Sequence, residues 1–132
     1  MIKGIGIDII EIDRIKEAVE KFGDSFLQKI YTAREINYCQ NHKAVKFPEL
    51  AGRFAAKEAY SKAIGTGIIG TGMEKEGVVG RAKGGISWKE IEIVNDLHGK
   101  PHIYLNGKLA KKVQVSLSHS LNSAVAMVYV EK

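Results

Sequence analysis

A single cysteine, Cys39, stands in the 132 residues. It rules out an internal disulfide and argues against a zinc centre built on thiolates, and as a lone thiol it reads as a small apolar residue on a helix face. The apolar runs are short and broken by charge, so none is long enough to cross a bilayer. Met1-Ile2-Lys3-Gly4 enters a strand-like pattern without the apolar segment and cleavage site of a signal peptide. A cytoplasmic protein without membrane contact is the expectation. Aromatic-rich stacking strands of the RNA-binding kind are also lacking, as is a G-x-S-x-G elbow, and His42, His98 and His102 do not have the spacing of a metal cluster.

What is present suffices for one globular domain over residues 1–132, since 45% of the chain is hydrophobic. Twenty Lys and Arg against fifteen Asp and Glu give a net charge of +5, and the isoelectric point is near 9.3. That balance favours an acidic partner: nucleic acid, an anionic protein or a phosphorylated small molecule.

Residues 2–10 alternate isoleucine with glycine or charge, the pattern of a half-buried strand in which Gly4, Gly6 and Asp8 share a closely approached face. From Glu11, apolar Ile12, Ile15, Ala18 and Val19 recur at helical spacing, giving an amphipathic helix that ends before Gly23. A helical turn or two over 26–30 follows. Thr32-Ala33-Arg34-Glu35 fits a capping box that opens a helix through Cys39, and 41–47 is a polar loop. Pro48 sits at the first turn of a long central helix that runs to about Ile64 and stops at Gly65. The glycine-dense segment 65–85 reads as a mobile loop or short hairpin with Met73, Glu74, Lys75 and Glu76 at its exposed part. Strands are expected over 88–94, 101–105, 113–118 and 124–130, with a short helix or turn over 106–112. The fold class is α+β, an antiparallel sheet packed with a long central helix and shorter helices.

Two stretches carry one carboxylate each in unusually compact surroundings: Gly4-Ile5-Gly6-Ile7-Asp8 and Phe54-Ala55-Ala56-Lys57-Glu58-Ala59-Tyr60-Ser61-Lys62-Ala63. Two acids that a fold brings together, with a lysine one turn beyond the second, can hold Mg²⁺ against a polyphosphate and neutralise the charge that develops there. Each residue also has a plainer reading. Asp8 could cap the next helix, Glu58 and Lys62 could be an exposed i,i+4 pair, and Lys57 could be solvated. A solvent-only pair, however, has no need of the alanine face that Ala55, Ala56, Ala59 and Ala63 make beside it. Gly65-Thr66-Gly67-Ile68-Ile69-Gly70 spells GxGxxG but follows a helix, so it reads as a helix stop and a rim whose amides could meet phosphate. Ser118 and His119 are strand neighbours that point to opposite faces, so His119 is structural or touches phosphate; His42, His98 and His102 read as surface residues.

In this order and spacing, Gly6-Ile7-Asp8, then Phe54, Lys57, Glu58 and Lys62 preceded by Leu50-Ala51-Gly52-Arg53, then Ser116-Leu117-Ser118-His119-Ser120, the chain resembles the small bacterial 4′-phosphopantetheinyl transferases of the holo-acyl-carrier-protein synthase type. The resemblance covers nearly the whole chain. It implies that fold and a Mg²⁺-dependent transfer of phosphopantetheine from coenzyme A to a serine of an acidic acyl carrier protein in fatty acid biosynthesis, releasing adenosine 3′,5′-bisphosphate. By position it implies Asp8 and Glu58 as metal ligands, Lys62 as the charge-balancing catalytic cation, and Arg53, Gly65 and His119 around the nucleotide. It also implies Arg14 and Lys21 on the face that meets the carrier protein, and a homotrimer with active sites between subunits. The chain departs from shorter members in its longer segment 69–84. The competing classes are a small basic RNA-binding module, which leaves Asp8 and Glu58 without a role, and a Mg²⁺-dependent phosphohydrolase, which needs no acceptor protein.

Overall fold

The computed structural model describes residues 1–40, 44–69 and 85–132. The expectations for His42 and for Met73 to Glu76 lie outside them. In chain order the elements are strand β1 (Ile2–Glu11), helices α1 (Ile12–Phe22), α2 (Asp24–Ile30), α3 (Ala33–Cys39) and α4 (Phe47–Ile64), short strands β2 (Ile68–Ile69) and β3 (Ile86–Ser87), a 3-10 turn over Trp88–Glu90, and strands β4 (Ile91–Asn95), β5 (Pro101–Leu105), β6 (Lys108–Leu109), β7 (Val113–His119) and β8 (Ser123–Glu131). Among the described residues three sheets form: an antiparallel β1-β8-β7, an antiparallel β4-β5-β6, and a two-residue parallel pair of β2 with β3. The α+β class holds.

The local signals act as their chemistry dictates. Thr32 and Glu35 close a reciprocal capping box at the start of α3. Pro48 lies in the first turn of α4, where its missing N–H costs nothing, and Gly65 ends that helix in the left-handed region at φ 78°. Cys39 is fully buried at the end of α3, and burial pushes its thiol up to about 11, so it is packing material and no nucleophile.

Three expectations are narrowed, each for a local reason. Trp88 does not start a strand: its indole is buried against the Phe54 ring, 4.7 Å between centroids, and the chain turns through a 3-10 helix before β4 begins. Of the short helix or turn expected over 106–112, the structure has the turn. Asn106 at φ 51° and Gly107 at φ 82° make a tight reversal, and Lys108 then pairs with Leu105. The described ends of the glycine-dense segment are not a hairpin either, because Ile68 pairs with Ile86 in parallel.

α4 lies across the β1-β8-β7 sheet at very short range. A side chain on Gly4 would sit 1.9 Å from the carbonyl oxygen of Ala63, and one on Gly6 would sit 1.9 Å from that of Ala59. Ala124, Ala126 and Val128 of β8 are fully buried on the same face. Larger side chains, among them Tyr31, Leu50, Ile91, Ile93 and Ile103, fill the remainder of the core. The other face of the sheet is open in the single chain: Ile5, Ile7 and Ile9 are 61%, 60% and 68% exposed, with Met127 directly opposite Ile7. No helix among the described residues is long and apolar enough to cross a membrane.

The two glycine settings give opposite expectations. Gly6→Ala drives a methyl into backbone that cannot yield, and thermal unfolding should show a loss of about 3 kcal/mol or more, at the top of the overpacking range. Gly52→Ala, inside α4 with Leu117 Cδ1 3.8 Å from the new methyl, should instead raise stability by up to about 1 kcal/mol through helix propensity. Equal melting temperatures for the two variants would refute the close-approach account.

Candidate active site

The register of β1 on α4 decides where Asp8 arrives. Gly4 lies over Ala63 and Gly6 over Ala59, so the strand runs back along the helix and brings Asp8 to the turn that carries Glu58. The Lys62 ammonium donates to Asp8 Oδ1 at 3.0 Å and to the Ile7 carbonyl at 3.0 Å. Asp8 is 18% exposed and Lys62 52%, so the pair is worth little as a stabilising contact and exchanges easily. Glu58 is half-buried one turn before Lys62 on the same stripe of α4. Asp8 is therefore not the cap of α1, whose N-cap residue is Glu11.

This stripe is the open arc of a helix that is otherwise enclosed. Gly52, Ala55, Ala56 and Ala59 meet the sheet side, and Leu50, Arg53, Lys57, Tyr60 and Ser61 are buried around the remainder. Asp8 and Lys62 thus meet, with Glu58 one helical turn away from Lys62, at the edge where β1 leaves α4 accessible.

A second concavity of ≈ 180 Å³ lies toward the N-terminal half of α4, lined by Pro48, Glu49, Gly52, Asn95, Gly99, Pro101, Leu117, Ser118 and His119. Asp8 pairs through Ala126 with Leu117, and Ile10 pairs through Ala124 with His119. Directly paired residues share a face, so His119 is on the face of Asp8, two strands across and one row along. His119 is exposed. Asn95 was not singled out from the sequence, and its place at the end of a strand before a polar turn was the available signal.

Arg53 does not reach this cleft as a direct ligand. It is 1% exposed, with Nη2 bonded to Asn95 Oδ1 at 2.6 Å and Nη1 to Glu49 Oε2 at 3.3 Å. Its guanidinium carbon lies 4.3 Å from the Tyr38 ring centroid. Its charge lies beneath the cleft and its hydrogen bond orients Asn95. Gly65 differs from expectation too: its N–H donates to the Ser61 and Lys62 carbonyls and the Thr66 N–H to Ser61, so neither amide is available to phosphate. Gly65 contributes a bare, exposed surface next to Lys62.

Lys57 is neither solvated nor part of the open stripe. Its ammonium is wholly buried and donates to Glu35 Oε1 at 2.6 Å, the Ile30 carbonyl at 2.8 Å and the Trp88 carbonyl at 3.0 Å. Burial lowers its pKa, and Glu35 opposes that shift. Arg14 and Lys21 are both exposed, two turns apart on α1. Beside them Phe22 is 57% exposed beneath the Lys21 ammonium.

No group of three or more His, Cys, Asp or Glu side chains among the described residues forms a metal cage. Mg²⁺ does not need one, because it is commonly held by one or two carboxylates with waters and substrate phosphates completing the shell. Asp8 already takes a cation, the Lys62 ammonium, on its Oδ1. The donor set of Asp8 and Glu58 fits a hard cation that arrives with a polyphosphate.

Known proteins resemble this chain along its whole length. A family model described as the 4′-phosphopantetheinyl transferase superfamily matches residues 4–129. A holo-[acyl-carrier-protein] synthase of Chloroherpeton thalassium is 45% identical over 131 residues, covering 96% of each chain. The crystal structure of a holo-(acyl-carrier-protein) synthase from Bacillus anthracis, in complex with CoA (3′,5′-ADP), superposes with a TM-score of 0.76 at 41% identity over 100% of this chain and 98% of that one. The Helicobacter pylori holo-[acyl-carrier-protein] synthase, in complex with coenzyme A, does so with a TM-score of 0.73 at 31% identity, over 96% and 99%. An α4 packed on bare glycine backbone, with Asp8, Glu58 and Lys62 at its open edge, is thus set in a chain that belongs to the 4′-phosphopantetheinyl transferase superfamily.

Proposed function

We propose that this protein transfers 4′-phosphopantetheine from coenzyme A to a serine of an apo-acyl-carrier protein, in the cytoplasm and in the service of fatty acid biosynthesis. The observation that carries the reading is the meeting of Asp8 with Lys62 on the stripe that also holds Glu58. The names of the full-length relatives and the coenzyme A complexes among its structural neighbours support the same reaction.

The serine oxygen attacks the β-phosphorus of coenzyme A while the bond from that phosphorus to the bridging oxygen breaks. The electron pair leaves on adenosine 3′,5′-bisphosphate, and the serine proton passes to solvent. Asp8 and Glu58 would hold Mg²⁺, which supplies charge neutralisation on the pyrophosphate when bound. Lys62, freed from a weak pairing with Asp8, would place its ammonium on the departing phosphate oxygen. The bare surface at Gly65 leaves room beside Lys62 for the phosphates. His119 would contact the nucleotide's 3′-phosphate in the cleft, with the buried Arg53 charge and the Asn95 amide it orients behind it.

The exposed Ile5, Ile7, Ile9 and Met127 face supports a homotrimer in which the sheets of neighbouring chains cover one another. Active sites would then lie between subunits. Arg14 and Lys21, with Phe22 beside them, suit an acidic carrier protein that brings both charge and a small apolar contact.

Incubation with coenzyme A, Mg²⁺ and apo-carrier should add the mass of phosphopantetheine to the carrier. Release of adenosine 3′,5′-bisphosphate without an acceptor would favour hydrolysis instead. Asp8→Ala and Glu58→Ala should abolish transfer with folding preserved, and Lys62→Ala should lower kcat by about 10²-fold or more with a smaller effect on coenzyme A binding. A Lys62→Ala change confined to KM would reduce that residue to ground-state binding. Arg14→Glu should raise the KM for carrier protein and flatten its salt dependence while leaving coenzyme A binding and Mg²⁺ dependence nearly unchanged; equal losses for both substrates would remove Arg14 from the carrier face. Ile5→Asp should convert trimer to monomer by light scattering and lose activity with it, and a fully active monomer would contradict the shared site.

A further inference from the structure

The Lys57 and Glu35 pair is wholly buried, at the opposite side of α4 from the sheet, and no step of the reaction uses it. Both charges are saturated. The three protons of Lys57 go to Glu35, Ile30 and Trp88, and the Glu35 carboxylate accepts in addition from the Thr32 N–H at 3.0 Å and the Ile93 N–H at 3.0 Å. One ion pair therefore ties α4 to the end of α2, the capping box of α3, the 3-10 turn and β4. A buried ion pair is weak evidence for stability, because apolar side chains of similar volume often do as well or better. The Gly4 and Gly6 seam sets α4 against β1 on one side, and the polar ties of this pair complete its rotational setting on the other. Buried residues surround nearly the whole helix, and Ala55, Ala56 and Ala59 present similar small surfaces over a wide arc. Neighbouring residues stand about 100° apart on a helix, so a fraction of that rotation carries Glu58 and Lys62 off the line to Asp8.

We propose that Lys57, held by Glu35, is a positioning residue: its three fixed hydrogen bonds complete the rotational setting of α4 and so aim Glu58 and Lys62 at Asp8. This inference rests on the transferase reading, for which Asp8 and Glu58 hold the metal. It is distinct from any contact with substrate, since Lys57 has no access to the open stripe.

The test replaces both charges by apolar groups of similar length in a double variant, Glu35→Leu with Lys57→Met. Cooperative thermal unfolding establishes that the variant folds. Mn²⁺ binding, followed by electron paramagnetic resonance on protein carrying coenzyme A without carrier, should weaken about 10- to 100-fold, the usual cost of losing an orienting group behind a metal ligand. The kcat for transfer should fall while the KM for carrier protein stays in place. A folded double variant with wild-type Mn²⁺ affinity and kcat overturns the proposal. If the double variant does not unfold cooperatively, Glu35→Gln, which removes one charge at constant shape, takes its place. The same weakening is expected, and folded Glu35→Gln with unchanged Mn²⁺ binding is equally fatal. A wild-type protein that modifies no carrier would instead overturn the transferase reading itself.

Discussion

The carbonyl oxygen of Ala59 occupies the space that a side chain on Gly6 would need, and most of the structure follows from that approach. Because the strand lies directly on helix backbone, its height along α4 is set residue by residue, and Asp8 comes level with the turn of Glu58 and Lys62. The Lys62 ammonium can then span the seam and bond both Ile7 and Asp8. Alanines on β8 continue the same thin interface, so that the sheet seats flat against the helix. Bulk at any of these positions would lift the carboxylate away from its partners.

α4 divides its circumference among three tasks. One arc of glycine and alanine meets the sheet, a second carries two buried cations toward α2, α3 and β4, and a third holds Glu58 and Lys62 open. Small side chains bury little apolar area each, so a thin interface gains from dispersion at close range more than from water release. Larger groups such as Leu50, Tyr31 and Ile93 supply the hydrophobic share away from the seam. The Arg53 guanidinium illustrates the cost of the arrangement, since its Nε has no hydrogen-bond partner among the described residues and its face rests on Tyr38.

The elements that were legible in the sequence are those whose signals are local. Thr32 with Glu35, Pro48 with Gly65, and the period-two run of β1 each fix geometry within a few residues, and each appears as read. Asp8, Glu58 and Lys62 were legible as a group because compact neighbours surround both segments. Tertiary partners decided what was missed. Lys57 looks like any helix-surface lysine until Ile30, Glu35 and Trp88 surround it from three other elements. Arg53 offers the same lesson, with Asn95 coming from a strand 42 residues away. Trp88 joins a turn instead of a strand because its ring finds Phe54. The parallel contact of Ile68 with Ile86 had no pattern to announce it, being two residues long.

β1 carries two interleaved messages. Gly4, Gly6, Asp8 and Ile10 answer to the helix, while Ile5, Ile7 and Ile9 answer to whatever covers the outer sheet. The second set is free to drift among apolar side chains in step with its cover, whereas the first is held by sterics. Length is held by both at once, because removing or adding one residue turns every later side chain to the wrong face. Related chains can therefore differ widely in the odd positions of this strand, yet an insertion between Gly4 and Asp8 would have to come in pairs, and even a pair would carry the carboxylate past the turn it serves.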